Sequence, residues 1–435
     1  MASIRMFRRS RLRFALTSFC LGMILLNLAV FWLSFDQAVS GLPDFRIFYT
    51  AGLMLRRGQG HVLYSDDLQL KTQREFTTLP SGVTSLLPYN HPPFEAILYV
   101  PLTYLPYVQA YFLWILLNGL LLMTCIYVIR PWIPALTSEF PRLLFLVPLA
   151  FFPVAFALME GQDSILLLAM YCAAYVAFRR KLELPAGIFL GLGLFKFHLV
   201  LPFAFVLLLH RRWRAIAGMA ISGCCELALS WALVGWKELI AYPRYAWHVN
   251  RDQTARVIVP ENMANLRGLF TGWANLIALR PWLELLLLAA SLCLLVWASR
   301  RWWPGESPDS DAWKTGFSIT VIVTFLVGYH GYNQDLSIVL LPILITLDSM
   351  LRKDAVVAGT ALRVVLVLMF FTPIYLVLTL HYQHQNLFSL VLLAFAGCLA
   401  AYAARNASGG STQPATVSSG AELRRSPARI PGTHD

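Results

Sequence analysis

Long apolar blocks, separated by short loops rich in Lys and Arg, run through nearly the whole of this sequence. Each block approaches the roughly 20 residues that an α-helix needs to cross the hydrocarbon core of a bilayer. That single pattern decides the class. Of 435 residues, 58% are hydrophobic and 13% charged, whereas soluble domains carry about 25% charged residues. A water-soluble globular enzyme is excluded, and disorder is confined to local segments. An outer-membrane barrel would need alternating segments of about 10 residues, and the sequence has none. The expected fold is an all-α polytopic membrane protein, a bundle of about 10–12 transmembrane helices with interfacial helices on its outer face. The net charge of +12 would suit nucleic acid, but cytoplasmic loops facing anionic lipid account for it, so membrane lipids and no nucleic acid are expected as partners. The seven cysteines all fall inside apolar stretches without metal-ligand spacing; neither disulfides nor a zinc site are expected.

The clear spans are 14–35, 107–129, 143–159, 163–178, 213–234, 281–299, 315–329, 335–350, 359–380 and 387–403. The first is too long for a signal sequence and reads as a retained helix. Residues 184–209 form an apolar block interrupted by Lys196 and His198. As one span it would put Arg179-Arg180-Lys181 and Arg211-Arg212-Trp213-Arg214 on opposite sides, against the positive-inside rule. Two short helices, 184–195 and 199–209, that enter and turn back near Lys196–His198 remove the conflict; such a break is tolerated only where it is buried in protein or lines a wet cavity. Residues 92–106, with prolines at 92, 93, 101 and 106, read as a short kinked helix at the outer surface. With both termini inside, 23 of the 35 Lys and Arg are cytoplasmic and 12 outside. Residues 1–405 then form one multispanning domain and 406–435, rich in Ser, Gly, Pro, Ala and Thr, a disordered cytoplasmic tail. The location expected is the plasma (inner) membrane.

This topology gathers the informative polar residues on one face. The first outer loop, 36–92, starts with Asp44 at the head of a segment, 44–57, whose apolar residues recur at helical spacing, as in a helix lying in the interface. It ends in Tyr89-Asn90-His91-Pro92-Pro93. Glu160-Gly161-Gln162-Asp163 joins two spans, and Lys196 and His198 sit at the broken helix. The second outer loop, 235–280, carries Arg251, Arg256, Asn262, Asn265 and Arg267; Tyr329-His330-Gly331-Tyr332-Asn333 is a short outer turn. A carboxylate, a lysine, a histidine and arginines around one cavity suit glycosyl transfer from a lipid phosphosugar. That reaction needs a base for the acceptor hydroxyl, cations or donors for the departing phosphate, and apolar grooves for the lipid. The sequence holds no nucleotide-binding glycine motif, and neither nucleotide-sugar chemistry nor a metal or other cofactor is expected.

The run Asp-Phe-x-x-Phe-Tyr-x-Ala at 44–51, Leu63-Tyr64, Pro92-Pro93 with Pro101-Leu102 and Leu105-Pro106, and Trp114–Asn118 resemble glycosyltransferase family 87. So do Gly161-Gln162, the Ala186-Gly187…Gly191…Lys196 run and the Arg211–Arg214 end. The resemblance spans about residues 40–350. It implies a GT-C-like bundle and transfer of a hexose, mannose in the best-known members, from a polyprenyl-phosphate sugar donor to a lipid-linked or glycan acceptor on the outer face. It also implies that Asp44 is the catalytic base and that Lys196 and His330 face the donor phosphate. Arg256 is placed beside them, and Glu160, Gln162, Tyr49, Asn90, His91 and Arg267 are placed around the substrates. Each has a plainer reading: Asp44 as a helix cap, Lys196 snorkelling to the interface, His330 as a loop residue, Glu160 in a structural pair with Arg256 or Arg267. Glu95 next to the prolines reads as a loop-ordering residue. The competing function is a lipid or glycan transporter, which would spread its charges through the bilayer depth and carry repeated halves.

Overall fold

The computed structural model describes residues 2–78, 86–251, 258–277, 282–302, 305–352, 359–375, 377 and 387–409. Among these the chain is helical throughout, with no strand. The order begins α1 (Ala2–Leu33), α2 (Phe35–Ser40), α3 (Phe45–Arg56) and α4 (Asp66–Arg74), then a 3-10 segment, Pro93–Tyr104, feeding α5 (Tyr107–Ile129). Next come α6 (Pro134–Glu139), α7 (Leu143–Ala150), α8 (Phe152–Met159) and α9 (Ser164–Arg179). After α10 (Glu183–Gly191) a 3-10 turn, Leu194–Lys196, leads into α11 (Phe197–Leu209) and then α12 (Trp213–Arg251), kinked at Gly235. The rest is α13 (Leu266–Ile277), α14 (Leu283–Arg301), α15 (Asp311–Val327), a 3-10 segment Asn333–Val339, α16 (Leu340–Arg352), α17 (Thr360–Met369) and α18 (Phe388–Gly409).

Among the described residues six helices are long and apolar enough to cross a membrane, and the bent pair α10–α11 makes a seventh if it counts as one span. That is fewer than the ten spans marked on the sequence, for a physical reason. Hydropathy counts apolar residues, but prolines cut the helices. Residues 143–159 become α7 and α8, broken at Phe151 between Pro148 and Pro153. α15 has only 17 residues, and every residue from Trp313 to Leu326 is buried, so it is a core helix enclosed by protein rather than a lipid-facing one.

The broken helix expected at 184–209 is present: α10 and α11 are bent by 59° at the break. Arg212 lies 3.8 Å from Glu183 and stacks 5.5 Å over Phe178, so the chain comes back to the end where it left α9. α10 packs tightly on α12 through small residues. A Cβ on Gly187 would lie 1.9 Å from the Ala215 carbonyl oxygen, and one on Gly218 2.2 Å from the Leu184 carbonyl oxygen; small residues at this spacing let two helix backbones meet. The expected kinked helix at 92–106 is the 12-residue 3-10 segment, with Pro101 inside it.

Two sequence expectations change. α3 does not lie on the surface: Phe45–Met54 are all buried. A Cβ on Gly52 would come within 2.9 Å of the Tyr99 backbone, so the 3-10 segment closes over α3. Phe48 and Tyr99 stack at 4.7 Å. The stretch 235–280 is not an open loop either, because helical structure runs to Arg251 and resumes at Leu266. Of the tail expected to be disordered over 406–435, residues 406–409 instead continue α18, and those from 410 lie outside the described residues.

Candidate active site

Three chain reversals at one end of the bundle create the site. The link between α8 and α9, Glu160-Gly161-Gln162-Asp163, turns through Gly161 at φ +60. A Cβ there would lie 2.6 Å from the Phe45 Cβ, so glycine allows the turn to press against the start of α3. The contact is pinned by main chain: the Phe45 N–H donates to the Glu160 carbonyl at 2.8 Å, and the Asp44 N–H donates to Glu160 Oε2 at 3.2 Å. The break between α10 and α11 brings Lys196. The turn after α15 brings His330, and the following 3-10 segment brings Asp335.

These groups line a cavity of about 480 Å³ whose wall includes Asp44, Asn90, His91, Glu160, Gln162, Lys196, His198, His330 and Asp335. Seven residues expected from the sequence thus meet in one place. Three do not. The Tyr49 hydroxyl donates to the Leu105 carbonyl at 2.8 Å inside an aromatic cluster with Phe76 and Tyr107. The Arg267 guanidinium stacks 4.0 Å over Tyr329 and donates to its carbonyl, off the cavity wall. Arg256 lies outside the described residues.

Lys196 is buried and fully engaged. Its ammonium donates to Asp335 Oδ1 at 2.5 Å, Ser164 Oγ at 2.8 Å and Gln162 Oε1 at 3.2 Å, and forms an ion pair with Asp163 Oδ1 at 2.8 Å. Gln162 in turn donates from Nε2 to Asp44 Oδ2 at 2.6 Å. Sequence reasoning passed over Asp335, Asp163 and Glu95 as site members. Glu95 is fully buried and lies 2.9 Å from His91 Nδ1. A carboxylate four residues after a histidine in a proline-fixed segment was the available signal. His91, Glu95 and Asp163 hold ligand atoms within 4.8 Å of one another, a set that suits a divalent cation by type; the Lys196 ammonium already neutralises Asp163 there.

Burial and mutual repulsion govern the carboxyls. Glu160 is pushed up to about 8 by burial and by the neighbouring Asp44 carboxylate. Burial also raises Asp44, opposed by the Gln162 hydrogen bond and by the charges of His91, Lys196 and Arg46. His91 is lowered to about 4 and His330 falls well below its usual value, both chiefly through burial. The His198 and His330 rings face each other edge-on at 5.3 Å, and His198 Nε2 is buried without a hydrogen-bond partner. The arrangement thus offers a carboxylate held at one oxygen, a neutral carboxyl beside it, and a pair of imidazoles on the same cavity wall. Such a set can accept a proton and meet an anion.

The model of glycosyltransferase family 87 matches residues 89–328, more than half of the chain. Gln162, Lys196 and His198 lie inside the match; Asp44, His330 and Asp335 lie outside it. No curated protein and no solved structure matches the chain.

Proposed function

The chain belongs to glycosyltransferase family 87, and from that premise we propose that it moves a hexose, specifically mannose, from a polyprenyl-phosphate donor to a hydroxyl of a lipid-linked or glycan acceptor on the outer face of the plasma membrane. The observation that carries the reading is Asp44: a half-buried carboxylate on the cavity wall, held at Oδ2 by Gln162. Asp44 takes the proton of the acceptor hydroxyl as that oxygen bonds to the anomeric carbon. The bond from that carbon to the phosphate oxygen breaks, and polyprenyl phosphate leaves with the electron pair. Attack from the face opposite the phosphate inverts the configuration, so a β-linked donor gives an α-linked product. His330, with His198 facing it, meets the phosphate charge. Phe156, Phe195 and Phe197 give that cavity apolar walls for the first isoprene units. A transporter fits less well, because the sequence carries no repeated halves.

The test is transfer of radiolabelled mannose from polyprenyl-phosphate mannose to a lipid extract of the native membrane by the purified protein. Asp44→Asn keeps the shape and an oxygen but cannot take the proton. The variant is expected to fold, to bind polyprenyl phosphate, and to turn over about 10²–10⁴-fold more slowly. Wild-type turnover by a folded Asp44→Asn protein would remove Asp44 as the base.

A further inference from the structure

A lysine in an apolar block invites the reading that it waits for a phosphate. The geometry gives it other work. An ammonium has three N–H groups and accepts nothing. Those of Lys196 go to Asp335, Ser164 and Gln162, with Asp163 completing its charge balance. The Ser164 hydroxyl donates to the same Asp335 oxygen at 2.9 Å, so it meets the ammonium as an acceptor. No proton of Lys196 is left for a ligand, and two carboxylates already neutralise its charge.

What the lysine does fix is Gln162. An amide carries one acceptor and one donor end. Since the ammonium only donates, the carbonyl oxygen of Gln162 must face Lys196, and its NH₂ must therefore face Asp44. That hydrogen bond occupies Asp44 Oδ2, while the Asp44 main chain is tied to Glu160. Oδ1 is left to receive the acceptor proton. The anchors come from three separate elements: Asp163 precedes α9, Lys196 ends the 3-10 turn after α10, and Asp335 lies in the 3-10 segment before α16.

We propose that Lys196, clamped by Asp163 and Asp335, is a positioning residue that sets the orientation of Gln162 and through it of Asp44, and does not contact the donor phosphate. This rests on the reading of Asp44 as the base. The charged and titratable groups around Asp44 are Glu160, His91, Arg46, Tyr107, Tyr332 and Lys196 itself. Both the amide and the lysine favour the ionised carboxylate, so losing either moves the acidic limb of the rate profile to higher pH.

The experiment compares Gln162→Met, Lys196→Met and the double variant in three readouts: kcat against donor KM, the pH profile of kcat, and equilibrium binding of polyprenyl phosphate followed by tryptophan fluorescence. The expected result is a kcat lower by about 10–100-fold in each single variant. Donor KM and polyprenyl-phosphate affinity stay within about twofold, the acidic limb rises, and the double variant is no worse than the poorer single one, as for groups acting as a unit. Polyprenyl-phosphate binding weakened tenfold or more by Lys196→Met overturns the proposal, as does an unchanged kcat in Gln162→Met or effects that multiply. Should Lys196→Met fail to fold, Lys196→Met with Asp335→Asn removes a carboxylate together with the ammonium and is read in the same way. Asp44→Asn separates the two levels. Full activity there overturns the base itself, whereas an inactive Asp44→Asn beside an unaffected Gln162→Met overturns only the positioning chain.

Discussion

Two carboxyls meet at the cavity wall, and their proximity sets a pH dependence. Glu160, in the ordinary carboxylate range when unfolded, is pushed up to about 8 in the folded chain. Between those two values the folded protein holds a proton that the unfolded chain has released. Stability therefore falls as pH rises through that window and levels off above about 8. Glu160→Gln keeps a neutral side chain with an oxygen for the Asp44 N–H. Its melting temperature in detergent, followed from pH 5 to pH 9, is expected to decline less steeply than that of the wild type; parallel curves would show that Glu160 is not the group responsible. Much of this residue-level picture was legible in the sequence. Lys196 stood out because a charge inside an apolar block is costly without a use; Asp44, Glu160, Gln162 and His330 stood out because the expected topology gathers them on one face, and the family resemblance gives Asp44 and His330 their roles. Asp335 did not, because it opens the block 335–350 and looks like an ordinary boundary residue. Its partner Lys196 is 139 residues away, and a single sequence carries no signal for a pairing at that distance.

At the scale of elements, what the sequence conveyed depended on whether a rule is local. The proline-rich stretch 92–106 and the break at Lys196 follow from chain geometry and from the placement of basic loops, and both are present. The environment of α3 follows from a partner that closes over it, so helical spacing identified the helix and misjudged its burial. The α10–α12 contact rests on glycine in the same non-local way. At Gly187 any side chain would run into the Ala215 backbone, which cannot move aside as a flexible side chain would. Gly187→Val is expected to separate the two helices, and overpacking of this kind costs about 1–3 kcal/mol. Since α10 leads directly into the turn that bears Lys196, the damage reaches the site: a lower melting temperature and a loss of transfer activity should appear together. Gly119, around which a Cβ meets nothing within 4 Å, supplies the comparison, and Gly119→Val should leave both measurements close to wild type. Equal behaviour of the two variants would mean that the close approach at Gly187 is not what holds α10 in place.

Over the whole molecule, the two ends of the bundle divide the chemistry between them. The cavity end collects acidic groups and histidines. At the other end basic residues tie the connecting segments together: Arg179 pairs with Asp309 at 2.7 Å, Arg352 with Asp311 at 2.8 Å, and Arg212 lies 4.7 Å over Trp302. The number of full spans was not readable from hydropathy, because a buried helix and a lipid-facing one are equally apolar. The segregation of charge was readable, because it depends on loop sequence alone. By the positive-inside rule the end bearing Arg179, Arg212 and Arg352 is expected to face the cytoplasm, and the proposed function then requires the cavity to open outward to a donor in the outer leaflet. An impermeant thiol reagent on intact cells tests that assignment with two exposed positions, His61 near α3 and Gly305 between α14 and α15. His61→Cys is expected to label in intact cells, and Gly305→Cys only after permeabilisation. The native cysteines are counted in a parallel wild-type sample, since three of them are exposed on the protein surface. The reverse pattern would place the cavity on the cytoplasmic side. A donor whose lipid sits in the outer leaflet would then be out of reach, and the sugar would have to come from the inner leaflet instead.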